Sequence, residues 1–255
     1  MCENVDIGKR METTIKMVTY RPVKKWLLPL LVVIIGIAIG FTFFPSKQDY
    51  HYKQWVSLLE SNEKESFNIE SVYYWDDQIY SQSEGVWTEQ MSYFDIVTPF
   101  SDGSEFSFEA YLFTSEFYTN SNNEWFYGSL PHNFTDELAP LDNPFEWASD
   151  ILQHAEQIYV KKEGDLITYE AVFEHYPEID FRGTLLKDQN HTYLKMLFKD
   201  DIPVSFTWNV SPERPESVSP FAFYPDELIF QLDFKINKHD VPALPEEAEG
   251  AEELE

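Results

Sequence analysis

SFNIESVYYW, residues 66–75, is where the hydrophobic period of this chain changes from that of a helix to that of a strand. Phe67, Ile69, Ser71, Tyr73 and Trp75 alternate with Asn68, Glu70, Val72 and Tyr74, a period of two that predicts a strand with one buried face. Immediately upstream, Tyr52, Trp55, Val56 and Leu59 follow the i, i+3, i+4, i+7 spacing of an amphipathic helix over 46–61. Ser46 is its candidate N-cap, with Asp49 three residues on. A helix that passes directly into alternating segments predicts an α+β domain in which helices cover one face of a sheet.

Further strands are predicted at 85–90, 92–98 and 105–114, and a hairpin pairs 116–119 with 124–127 across the polar turn Asn120-Ser121-Asn122-Asn123. The clearest helix start is Asn143, an N-cap followed by Pro144 at the first helical position and Glu146 at the third. Its apolar stripe runs through Phe145, Ala148, Ile151, Leu152, Ala155 and Ile158. Strands resume at 166–173, 179–186, 192–198, 203–210 and 228–236. Residues 242–255 hold six glutamates and almost no large apolar group, which predicts a disordered acidic tail.

Toward the N-terminus, WLLPLLVVIIGIAIGFTFF runs uncharged from Trp26 to Phe44. At about 1.5 Å per helical residue it is just long enough to cross a hydrocarbon core of roughly 30 Å. Residues 1–25 carry six Lys or Arg against three acids, whereas 45–255 hold 12 basic and 42 acidic residues of the chain's 18 and 45, a net charge of −30. Because Lys and Arg flanking a span stay cytoplasmic, the expected topology is a cytoplasmic segment 1–25, a membrane helix 26–44, an extracytoplasmic domain 46–241 and the tail 242–255. Removal of the apolar segment as a signal peptide is the alternative, with Ala38 and Gly40 as a small-x-small site. Gly36 and Gly40 also form a G-x-x-x-G pair suited to close packing of two membrane helices, with glycines merely tolerated in a membrane helix as the alternative.

The acidity of the exported part excludes nucleic acid as a partner, since phosphate binding needs concentrated Lys and Arg. The chain's only cysteine is Cys2, so the exported domain contains no disulfide and must be held by its core. That part carries 38 of the 43 aromatic residues. Catalytic motifs are missing: there is no G-x-S-x-G elbow and no exported thiol. The six histidines, at 51, 132, 154, 175, 191 and 239, have no metal-ligand spacing, and no metal or cofactor is expected. The closest acid pairs, Asp76-Asp77, Asp200-Asp201 and Glu178 with Asp180, fall at predicted turns, where solvated carboxylates are ordinary.

The order of elements resembles the LolA/LppX-type half-barrel family of extracytoplasmic lipid and lipoprotein binders, in the membrane-attached form found in Gram-positive bacteria. The segments that carry the resemblance are SFNIESVYY, EFYTNSNNEWFYGSL, LDNPFEWASDILQHAEQIYVKKEGDLITYEAVF and FQLDFKINKHDVPALPEEA, which span most of 46–248. The resemblance implies a curved antiparallel sheet closed over by helices, with an apolar cavity for acyl chains. A transmembrane anchor stands where that family has a lipobox or cleaved signal, which argues against shuttling across an envelope. In such a cavity, Trp87, Phe108, Leu112, Trp125 and Phe206 are the candidate lining residues, with an ordinary filled core as the alternative. The expected function is non-catalytic binding of a lipid, lipoprotein or other apolar ligand at the cell surface. The competing expectation is a structural or regulatory protein that contacts an envelope protein partner.

Overall fold

The computed structural model describes residues 29–35, 47–132, 134, 138, 140–173, 180–181, 184–185, 192–211, 225–239 and 241–254. The chain divides into two compact units, Met1–Ser46 and Lys47–Glu255. In the first, 29–35 are helical with exposed side chains. Among the described residues no helix is long and apolar enough to cross a membrane. The rest of 26–44, including Gly36 and Gly40, lies outside the described residues, as does the N-cap candidate Ser46.

The second unit opens with helix α1 (Lys47–Asn62), followed by a meander of six antiparallel strands. These are β1 (Phe67–Trp75), β2 (Gln78–Trp87), β3 (Met91–Pro99), β4 (Glu105–Phe113), β5 (Glu116–Ser121) and β6 (Glu124–Ser129). Helix α2 (Pro144–Leu152) then leads to β7 (Gln157–Glu163) and β8 (Leu166–Val172). Two short strands, β9 (Asp180–Phe181) and β10 (Thr184–Leu185), form a separate hairpin. The series continues with β11 (Tyr193–Lys199), β12 (Ile202–Val210), β13 (Leu228–Ile236) and β14 (Glu252–Glu253). Among the described residues, twelve strands make one sheet in the order β14-β6-β5-β4-β3-β2-β1-β13-β12-β11-β8-β7. The chain meanders outward from β1 to β6, crosses to the far edge, and meanders back until β13 pairs with β1. Among the described residues every pairing is antiparallel except that of β14 with β6. A sheet of this width curls, and both helices lie on its inner face.

Register shows which side chains face inward. Phe67 stands opposite Trp87 and Ile236, and Ile69 opposite Gly85 and Phe234. Phe145 of α2 packs against Phe67, Trp87 and Phe234 at ring separations of 5.6, 4.9 and 5.8 Å. Trp147, one turn-face away, meets Phe206, Trp208 and Phe230. The helix forms here because Asn143, in extended conformation, accepts a hydrogen bond from the Glu146 N–H at 3.1 Å and Pro144 supplies a pre-set φ. α1 buries Trp55 and Leu59, and Trp55 packs on Tyr169 of β8. Its C-terminus is tied to the sheet by Asn62, whose Nδ2 donates to the Leu58 carbonyl and to the Asp201 carbonyl in the β11–β12 turn at 2.8 and 2.9 Å.

Several expectations need correction. The strand placed at 85–90 runs from Gln78 to Trp87 instead, directly after a two-residue turn at Asp76 and Asp77. The Asp76 carboxylate there accepts from the Asp226 and Glu227 N–H groups, tying this turn to the start of β13. The hairpin loop is two residues rather than four: Asn120 and Ser121 belong to β5, and Asn122 and Asn123 take φ of 53° and 64°. Two positive φ angles give the turn twist that matches the right-handed twist of the strands. Asp200 and Asp201, at 52° and 65°, repeat the device between β11 and β12. α2 ends at Leu152, so Ala155 lies beyond it and Ile158 lies on β7, where its N–H donates to Gln48 Oε1 at 2.8 Å. Of 179–186, only the two short strands are described, and Glu178 lies outside.

The tail also differs from the disordered segment expected. Glu246–Gly250 form a 3₁₀ turn that buries Ala248, and β14 pairs with Phe126 and Tyr127 of β6.

Candidate ligand cleft between helix α1 and the sheet

The geometry best suited to an apolar ligand lies between α1 and the β8 end of the inner face. A cleft of about 410 Å³ is bounded by Tyr50, Lys53, Gln54, Ser57 and Leu58 from the helix and by Ile167, Tyr169 and Asp201 from the strands and the β11–β12 turn. That volume is within the roughly 300–1,000 Å³ of ligand pockets. Leu58, Ile167 and the Tyr169 ring make its apolar wall, while the Tyr50 hydroxyl, held by Gln54 Nε2 at 2.9 Å, Lys53 and Asp201 stand around it. Burial, followed by the neighbouring Asp201 carboxylate and the Tyr50 hydroxyl, holds the Tyr169 phenol above its ordinary pKa. Beneath the wall, Trp55 is fully buried with its indole N–H unpartnered among the described residues.

This cleft exists because α1 lies across strands that carry their large side chains inward. Ile167 stands opposite Phe198 and Lys162, and Tyr169 opposite Met196 and Val160, so the two positions share a face. Leu58 falls between the buried positions Trp55 and Leu59 and is half-buried at the helix edge. It lies off the predicted stripe, and sequence reasoning passed over it. An apolar residue off the stripe of an otherwise amphipathic helix was the available signal.

The five candidate lining residues do not form one cavity. Trp87 is 1% exposed, rests against Phe145 and donates its indole N–H to the Asp142 carbonyl at 3.0 Å. Phe206 is 1% exposed, beside Trp147. Leu112 is buried and borders a small cleft of about 160 Å³ of mixed lining, with Thr88, Met91, Phe113, Leu130, Asp142, Asn143 and Glu146. Phe108 is half-buried on the inner face, near Phe106 and Phe134. Trp125 stands on the opposite face: it pairs with Asn120, which pairs with Glu109, on the polar side of β4–β6.

A second aromatic group marks the inner face near the β1–β2 turn. Tyr73 stacks on Phe230 with centroids 4.2 Å apart and planes at 7°, and Tyr80, 44% exposed, packs beside Tyr73 and Trp75. Tyr80 reaches that face because the register shifts between Tyr73 and Tyr74. Among the described residues, no group of three or more His, Cys, Asp or Glu is arranged to hold a metal ion.

No protein-family model matches the chain, and no curated protein matches it. Among solved structures, the crystal structure of LprF from Mycobacterium bovis matches with a TM-score of 0.39 and 8% identity, over 75% of this chain and 97% of that one. At that TM-score the likeness fixes neither a shared fold nor a shared ligand.

Proposed function

We propose that residues 47–254 form a non-catalytic binding domain for an apolar or amphipathic ligand, such as an acyl chain of a lipid or lipoprotein. In this reading the domain is held outside the cytoplasm by the apolar segment 26–44. The observation that carries the proposal is the 410 Å³ cleft, with an apolar wall of Leu58, Ile167 and Tyr169 and a cationic Lys53 beside it. An acyl chain would cover the wall, and Lys53 would meet an anionic end group. The gain is about 25 cal/mol per Å² of apolar surface removed from water.

The test is photocrosslinking of the full chain with a diazirine fatty acid, with the adduct mapped by peptide mass spectrometry. Labelling should centre on α1 and β8 and fall sharply in Ile167→Trp, which fills the cleft. Labelling spread evenly over the surface, or equal in Ile167→Trp, would overturn the reading. The anchoring part is tested by impermeant protease on whole cells, which should remove the C-terminal domain.

A second reading, an envelope interaction protein without a small ligand, draws support from Trp87, Leu112 and Phe206, which fill a packed core. A reproducible crosslinked protein neighbour, with no fatty-acid adduct in the cleft, would favour it.

A further inference from the structure

Helix α1 enters at one end of the sheet and leaves at the other. Its second residue, Gln48, accepts from the Ile158 N–H at the start of β7, and its last, Asn62, donates to the Asp201 carbonyl in the β11–β12 turn. A row of register partners beginning next to Ile158 crosses the sheet from Gln157 of β7 through Val172, Tyr193, Asn209, Ile229 and Tyr74 to Ile79 of β2. The end at which α1 enters is therefore the end that carries the β1–β2 and β3–β4 turns. There Ile79, Tyr80, Phe100 and Phe106 are between 40% and 52% exposed. Phe100 opens the β3–β4 turn, where its N–H donates to the Ser104 carbonyl, and Phe106 packs beside Phe108 on the inner face. Tyr80 extends the aromatic group of Tyr73 and Trp75 to the same rim. Among the described residues of Lys47–Glu255, the large apolar side chains exposed at the opposite end are Leu166 and Ile236, and Tyr50 and Tyr159 are exposed along α1 and β7 between the two.

We propose that this rim rests on the surface of a lipid bilayer, with Ile79, Tyr80, Phe100 and Phe106 entering the headgroup region. The inference rests on the reading that 26–44 is a membrane anchor. Phe44, the last residue of that apolar run, precedes Lys47 by three residues, which span at most about 11 Å. The end of the sheet at which α1 begins is then tethered close to the bilayer, and the far end stands away from it. The nine residues of β1 separate the two ends by about 27 Å. A contiguous group of exposed apolar side chains marks a contact surface, and aromatic rings with a polar tip favour the membrane–water interface. Charge does not supply the attraction. Asp76 Oδ1 accepts from the Asp226 and Glu227 N–H groups, and Asp102 Oδ1 from the Ser104 N–H and hydroxyl, while Asp77 and Glu105 stand exposed and would be repelled by anionic headgroups. The partner that fits is a zwitterionic lipid surface, met by apolar insertion.

The experiment uses the full chain, with Cys2→Ser, reconstituted in phosphatidylcholine vesicles that carry a nitroxide at the headgroup. A fluorophore is attached through Ile79→Cys or Phe100→Cys at this rim, or through Ile236→Cys at the opposite one, and circular dichroism checks that each variant keeps the fold. Quenching at 79 and 100 should exceed that at 236 by about two-fold or more, and should persist at about 1 M salt, where attraction between charges is screened. Flotation of the chain with the vesicles tests the anchor separately. A chain that floats with equal quenching at all three positions, or with more at 236, overturns the rim contact and leaves the anchor standing. Quenching lost at high salt also overturns it, because the attraction would then be one of charge. A chain that does not float removes the anchor and the rim contact together.

Discussion

At the residue scale, Gly85 and Gly128 show how closely the meander is packed. A methyl at Gly85 would overlap the Tyr93 carbonyl oxygen and come within 2.8 Å of Phe94 Cα, both of them backbone atoms on β3. At Gly128 the obstacle is the Phe117 ring, at 2.6 Å, a side chain with some freedom to turn. Gly85→Ala should therefore cost more than Gly128→Ala, with overpacking of about 1–3 kcal/mol or above at the former, as read from urea unfolding midpoints. Equal costs would mean that the strands separate more easily than their pairing implies. Tyr73 gives a pH signature. Burial first, then the neighbouring Tyr80, raises its phenol pKa well above the ordinary value. The folded chain keeps a proton that the unfolded chain releases above about pH 10, so this contribution is constant below that pH and is lost as pH rises beyond it. Tyr73→Phe should flatten the fall in stability between pH 9.5 and 11, by comparison with the unmodified chain over roughly that range.

At the element scale, pairing assembles a feature that no single strand displays. Asp233, Glu70, Glu84, Asp95 and Glu109 stand directly opposite one another across β13, β1, β2, β3 and β4 on the outer face. Glu70 is relieved by an ion pair with Lys235, which lies two residues beyond its partner Asp233 on the same face. Glu84 stands between Glu70 and Asp95 and is exposed. Glu84→Lys should stabilise the domain by about 0.5–1 kcal/mol at low salt, and the gain should shrink at 1 M salt, where screening length falls to about 3 Å. An unchanged midpoint at low salt would show that solvent already screens the row. Each of these acids was legible as the polar member of an alternating strand. Their alignment was not, because register depends on turn lengths, and the turns at Asn122-Asn123 and Asp200-Asp201 are tighter than their polar flanks suggest. Local signals served best where the chemistry is local: Asn143-Pro144-Phe145-Glu146 predicted the start of α2 correctly. They failed at its end, where Ala155 and Ile158 continue the helical stripe while Ile158 and Val160 also alternate as in a strand, and long-range pairing with β8 selected the strand.

At the scale of the whole molecule, the sheet is an open one with two edges, and each is handled differently. β7 presents exposed Lys161, Lys162 and Glu163, charges that discourage another strand from docking. β6 is instead covered by the chain's own end: β14 pairs parallel with Phe126 and Tyr127, the Leu254 N–H donates to the Tyr127 carbonyl at 2.8 Å, and Leu254 packs against the core. Composition pointed to a disordered tail, since six glutamates in 242–255 leave little to bury. What composition omits is the unpaired edge of β6, which offers hydrogen bonds that do not depend on side chains. The same reasoning accounts for the candidate sites: Leu58, Ile167 and Tyr169 come from segments more than a hundred residues apart, and only the crossing of α1 over β8 brings them together. Deletion of 246–255 should therefore have two separable effects. Loss of the buried Ala248 and the packed Leu254 should lower stability by about 1–3 kcal/mol. Exposure of the β6 edge should also promote strand-to-strand self-association, read by sedimentation velocity as a concentration-dependent dimer. Leu254→Ala, which leaves the backbone pairing in place, should reproduce part of the first effect without the second. A deletion variant that stays monomeric at every concentration would show that net negative charge, rather than the tail, keeps that edge free.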